Sequence, residues 1–172
     1  MKKLLVALAA VIVSAATYGQ GLVNFNNLNA LTDPAAGIYR PGGTVGAGAG
    51  VTAQLFLNSG GTMTALTPAT TFFTDAGSEF LLQPVDITVD GVASGGTANF
   101  IVRAWDSSFQ TYDAALAANG LRGESAAFDN KLGGGTLPPE NTVFPGFVLV
   151  PEPSTIALGL IGAGALLLRR RK

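Results

Sequence analysis

Chemistry in this chain must proceed without histidine or cysteine, since neither occurs among its 172 residues. That removes the usual nucleophile–base pairs and the imidazole or thiolate ligands of zinc sites. Two facing carboxylates, as in glycoside hydrolysis, remain possible. Ten acids (Asp33, Asp75, Glu79, Asp86, Asp90, Asp106, Asp113, Glu124, Asp129 and Glu140) lie in residues 21–150, so some pair is inevitable and the pattern carries little signal. Calcium is the one metal whose oxygen-donor chemistry these residues could serve, with Asp86, Asp90 and Asp106 as loose candidates. No Asp-x-Asp-x-Asp-Gly loop is present, and solvated turn acids are the simpler account. No catalytic residue and no firm cofactor are assigned. The chain is read as non-enzymatic.

Two other groupings could bind a ligand. Trp105 with Asp106, and Tyr112 a few residues on, could form an aromatic platform for a sugar, flanked by Tyr39. The competing account is a tryptophan covered at a strand end. The second grouping is Pro151-Glu152-Pro153, where the prolines keep the chain extended and display the carboxylate between them. Gly46–Gly50 (GAGAG) imitates a phosphate loop only superficially: it lacks a lysine and precedes a strand.

The elements that carry these residues read as β structure. Glycine and proline punctuate short runs of period two: Leu22–Asn26, Val51–Leu57, Val85–Val89 and Thr97–Trp105, with Phe147–Val150 as the last strand. Asp90-Gly91 offers hairpin-turn chemistry after Val85–Val89. In the longest run, Phe100, Val102 and Ala104 share one face, and Ile101, Arg103 and Trp105 share the other. One short helix is expected over Tyr112–Ala118, capped by Thr111 and stopped at Asn119-Gly120. The fold class is therefore all-β: an antiparallel, jelly-roll-like β-sandwich with one short helix, occupying residues 21–150. With four cations (Arg40, Arg103, Arg122, Lys131) against ten carboxylates, this body has a net charge of −6, which disfavours nucleic acid.

Both flanks differ in kind from the body. Met1-Lys2-Lys3, the apolar run Leu4–Val13 and the small-residue stretch Ser14–Gln20 have the layout of a secretory signal peptide over residues 1–20. Ser14/Ala16 and Thr17/Gly19 allow two cleavage registers between Ala16 and Gly21. The expected partners are the Sec translocon and signal peptidase. At the other end, Ile156–Leu168 is an uncharged run followed by Arg169, Arg170, Arg171 and Lys172. As a helix it would span about 20 Å, short of a bilayer core of about 30 Å. It reads as a marginal transmembrane helix with its cations on the cytoplasmic side, suited to a transient hold on the membrane.

Pro151-Glu152-Pro153, the apolar run and the terminal cations, in that order over residues 151–172, resemble the PEP-CTERM sorting segment. The resemblance implies export in a Gram-negative bacterium that makes exopolysaccharide. It implies processing by an exosortase-type transpeptidase at or near Pro151–Pro153, and a mature form at the cell surface or in the extracellular matrix, with exopolysaccharide a possible partner. The body faintly resembles passenger domains found with such tails, through Val23–Asn27, Val102–Asp106, Tyr112–Ala115 and Gly123–Ser125. The expected role is a structural or adhesive module. A calcium-assisted carbohydrate-binding module is the alternative, and a two-carboxylate glycosidase is a weaker one.

Overall fold

The computed structural model describes residues 19–150. The expected signal peptide, apart from its last two residues, and the whole segment 151–172 lie outside the described residues. Eleven strands are present: β1 (Gln20–Phe25), β2 (Ile38–Tyr39), β3 (Val51–Ser59), β4 (Thr62–Ala65), β5 (Thr70–Thr71), β6 (Val85–Ala93), β7 (Thr97–Asp106), β8 (Arg122–Glu124), β9 (Phe128–Lys131), β10 (Glu140–Asn141) and β11 (Phe147–Val148). Among the described residues the single α-helix is α1 (Tyr112–Ala117), and two 3-10 turns cover Leu28–Leu31 and Pro34–Ala36. The domain is thus almost entirely β, with one short helix.

Three sheets form. β10, β1 and β6 make the first, β11 and β2 the second. The largest runs β4-β3-β7-β8, with β5 also on β3 and β9 also on β7. The antiparallel expectation is corrected at two places, because β1 pairs with β10 and β2 with β11 in parallel. Each parallel partner is a two-residue strand late in the chain: β11 falls in the expected last strand, but its pairing was not readable, and β10 has no period-two signature to announce it.

Alternation explains the core. Val23 and Phe25 of β1, Ile87 and Val89 of β6, Val51, Ala53 and Leu55 of β3, and Phe100, Val102 and Ala104 of β7 all bury in one cluster. The inner faces of the first and third sheets therefore share one apolar interior, which Phe128, Phe144, Leu132 and Leu149 complete. Phe128 stacks at a tilt between Phe100 and Phe144, with centroids 6.0 and 5.6 Å away. Each such ring contributes about 1.5–3 kcal/mol by leaving water.

The turns follow local chemistry, with one correction. Gly60-Gly61 closes the β3–β4 hairpin with both φ angles positive, as a primed two-residue turn requires. Asp90-Gly91 is not a turn. It lies inside β6, where the pairing with β1 slips: Gly21 faces Val89, while Gln20 faces Ala93. Gly91, at φ 79°, makes this a bulge. The chain turns instead at Ser94–Gly96 and crosses from the first sheet to the third.

Polar side chains fasten the ends of the sheets. Asn27, fully buried, donates from Nδ2 to the carbonyls of Phe80 (2.9 Å) and Ala36 (3.3 Å) and accepts from Leu82 N–H at 2.7 Å. Asn26 donates to Asn24 and Asn141, and its backbone N–H donates to Thr142 Oγ1 at 3.0 Å. Ser125 Oγ accepts from Val102 N–H at 3.0 Å, and Ser125 N–H donates to Val102 O at 2.9 Å. The Val23–Asn27, Val102–Asp106 and Gly123–Ser125 segments singled out in the sequence are thus fasteners of the fold.

Candidate functional site: the junction with the C-terminal segment

The candidate site is the place where the folded body gives way to Pro151. It is built from β2, β8 and β11. Gly146 N–H donates to Ala35 O (3.0 Å), Phe147 N–H to Gly37 O (3.1 Å) and Leu149 N–H to Tyr39 O (2.8 Å). Val150 N–H then donates to Arg122 O at 2.7 Å, and Arg122 N–H returns a longer bond of 3.4 Å to Val150 O. The close approach needs glycine: a Cβ on Gly146 would stand 2.1 Å from the Gly37 carbonyl oxygen. Leu149 is 1% exposed and belongs to the main core, whereas its neighbours Val148 and Val150 are exposed. The fold therefore holds the chain up to the residue before Pro151. The sequence showed no linker here, and the structure has the last core residue two positions before Pro151.

Arg122 stands on β8 opposite Trp105 of β7, and its guanidinium donates to Gly120 O at 2.9 Å. Arg40 lies nearby, its guanidinium donating to Ala49 O at 2.9 Å. It helps hold the Asp106 carboxyl below the usual carboxylate range. The main cause is hydrogen bonding from Ser108, first from its side chain and then from its backbone N–H, which donates at 2.8 Å. Arg103 lies between two rings, 4.5 Å from the centroid of Tyr112 and 4.9 Å from that of Phe56, and pairs with Glu124 at 3.0 Å. Nothing in the sequence alone distinguished Arg103 from a solvated charge on an outward face.

The proposed sugar platform does not form as an open surface. Trp105 is 2% exposed, covered by Tyr112 edge-on (82°, 6.4 Å between centroids) and by Ala115 and Phe109. Its indole N–H donates to Phe109 O at 3.0 Å. A sugar needs a ring face, and α1 occupies it. Thr111 sets the helix there, its Oγ1 accepting from Ala114 N–H at 3.1 Å, and Asn119 ends it at φ 56°. Burial raises the Tyr112 phenol above its ordinary pKa, with Glu124 adding to the effect. Asp106 is turned back onto its own loop.

The three loose calcium candidates do not converge. Asp86 and Asp90 lie on β6 of the first sheet and Asp106 on β7 of the third. Asp86 accepts from Asn24 at 2.6 Å and Asp90 from Gln20 at 2.9 Å, so both tie β6 to β1. Among the described residues, no group of three or more acids is placed to hold a metal ion. Among the same residues, no helix is long and apolar enough to cross a membrane. The expected sorting residues Pro151, Glu152 and Pro153, the apolar run and the cations Arg169, Arg170, Arg171 and Lys172 lie outside the described residues.

Comparison with known families places the junction in context. The family described as the PEP-CTERM protein-sorting motif matches residues 149–172. The chain carries a PEP-CTERM sorting motif near its C-terminus, and the match begins two residues inside the fold, at the core residue Leu149. No curated protein and no solved structure matches the chain.

Proposed function

We propose that this protein is an exported substrate of an exosortase-type transpeptidase, delivering a non-catalytic structural or adhesive module to the cell surface or extracellular matrix. The observation that carries the reading is the sorting motif at residues 149–172, joined without a spacer to a β-rich body. In this reading the Sec translocon exports the chain and signal peptidase removes the leader. The run Ile156–Leu168 holds the precursor in the membrane, with Arg169–Lys172 on the cytoplasmic side. Two facing sheets packed as a sandwich form the delivered body, a reading supported by their shared interior. An acidic surface keeps such a body soluble at high local density.

The test is mass spectrometry of the mature protein from cells with and without the transpeptidase. The expected C-terminus lies at or near Pro151–Pro153 in competent cells only. An intact Arg169–Lys172 end in competent cells sinks the processing reading.

A further inference from the structure

The two ends of the body lie at opposite ends of its longest strand. Gly19 O accepts from Ser94 N–H, and Gly21 packs on Leu132, beside the Thr97 end of β7. Val150 is bound to Arg122, which faces Trp105 near the other end of β7. Eight residue steps of β7 separate the two places, about 26 Å of strand. The chain thus enters at one end of the body and leaves at the other.

The exit end is also distinct in its chemistry. Val148 and Val150, either side of buried Leu149, are 46% and 58% exposed, and Val45 is 59% exposed. Gly43 lies against Val148 (a Cβ there would be 3.8 Å from its Cγ2), and Val45, two residues on in the same turn, accepts at its carbonyl from Arg40 N–H and shares a cleft with Glu79. Arg40 and Arg122 flank this apolar strip, with Asp106 the carboxylate beside Arg40. Lys131 sits at the far end, opposite Thr97. Arginines flanking exposed aliphatic side chains suit the boundary layer of an anionic bilayer, where apolar groups enter and cations meet phosphate.

Length keeps the body close to the lipid once the tail is in a membrane. From Val150 to Ile156, six fully extended residues reach at most about 20 Å. The headgroup layer takes up about 5–8 Å of that distance. We infer that the exit face of the body, formed by Val45, Val148 and Val150 with Arg40 and Arg122, docks on the anionic headgroups of the membrane that holds the precursor. This inference rests on the anchored precursor of the proposed function. It goes beyond that reading by giving the body an orientation: β7 stands with its Trp105 end toward the lipid and its Thr97 end away.

The chain has no cysteine, so one introduced thiol reports one position. The full chain is reconstituted in vesicles of phosphatidylglycerol and phosphatidylcholine, with an environment-sensitive fluorophore on Val148→Cys or, separately, on Thr97→Cys. The expected result is at least twofold quenching by a lipid-borne quencher at position 148 and none at 97. Pure phosphatidylcholine, or the Arg40→Gln/Arg122→Gln variant, should lower the quenching at 148. Flotation separates the two readings. A chain that floats with the vesicles but shows equal quenching at 148 and 97 overturns the docking face and leaves the anchor standing. Quenching at 148 that is the same with and without anionic lipid overturns the role of the arginines. A chain that does not float overturns the anchor, and the docking face with it.

Discussion

Val150 and Arg122 exchange backbone hydrogen bonds, the last such contact before Pro151. The residues a processing enzyme would read therefore start at the surface of a folded body. Pro153 lies three residues beyond Val150, within about 11 Å of it even fully extended. An enzyme engaging Pro151–Pro153 must either approach the body closely or draw the final residues off β8.

Extra slack should relieve this constraint. Inserting eight Gly/Ser residues between Val150 and Pro151 is expected to speed C-terminal processing in transpeptidase-competent cells, followed by pulse-chase and immunoblotting. An unchanged rate would show that the enzyme tolerates the body at its threshold.

Asn27 should be far more costly to lose than its polar nature advertises. Asn27→Ala leaves Leu82 N–H and the carbonyls of Phe80 and Ala36 without their partner, in a buried setting. The expected cost is about 2–4 kcal/mol in urea unfolding. A loss under about 0.5 kcal/mol would mean that backbone groups re-pair locally.

Trp105, the only tryptophan, gives a direct optical check. Its emission should be blue-shifted and little quenched by acrylamide until the chain unfolds, and soluble polysaccharide should leave it unchanged. Trp105→Ala should cost about 3–5 kcal/mol through the cavity it leaves beneath α1. Quenching at the rate of a free indole would show that α1 does not cover the ring.

The pH profile should respond at both ends. The Asp106 carboxyl is held low in the fold, so its contribution is present above the pKa of the unfolded chain and fades as pH falls through the folded value. Asp106→Asn should flatten the loss of stability below about pH 4. The Tyr112 phenol is raised by burial, so its contribution is whole below about pH 10 and is lost as pH rises through the folded value. Tyr112→Phe should flatten the alkaline limb, read by thermal unfolding from pH 8 to 12. A wild-type slope retained in either variant would remove that residue as its cause.

What could be read from the sequence was local. Alternation put Phe100, Val102 and Ala104 on the buried face of β7, and Thr111 and Asn119-Gly120 marked the ends of the helix to within a residue. What escaped was contact at long range. Asp90-Gly91 has turn chemistry, but its opposite strand is β1, some seventy residues earlier, and that pairing makes it a bulge. Asn26 falls on the outward phase of its strand, yet Thr142 and Asn141 arrive to bury it. Trp105 likewise lies on the outer face, and only α1 folding back makes it interior. The sorting motif and the absence of a linker before it were legible because both are contiguous signals, whereas the partners that hold the last residues, Arg122 and Tyr39, were not.

The placement of β1 between β6 and β10 has a consequence in time. Its parallel partner, Glu140–Asn141, comes about 115 residues later, and Thr142 binds Asn26 across the same gap. A chain crossing a membrane from its N-terminus cannot complete the first sheet until residue 142 has emerged. It cannot bury Leu149 until the residues just before Pro151 have followed. On the proposed export route, the apolar run would by then be entering the translocon. On that route completion of the fold and arrest of the chain would fall at nearly the same moment of export, and the signal for processing would be presented on a body whose first and last segments can meet.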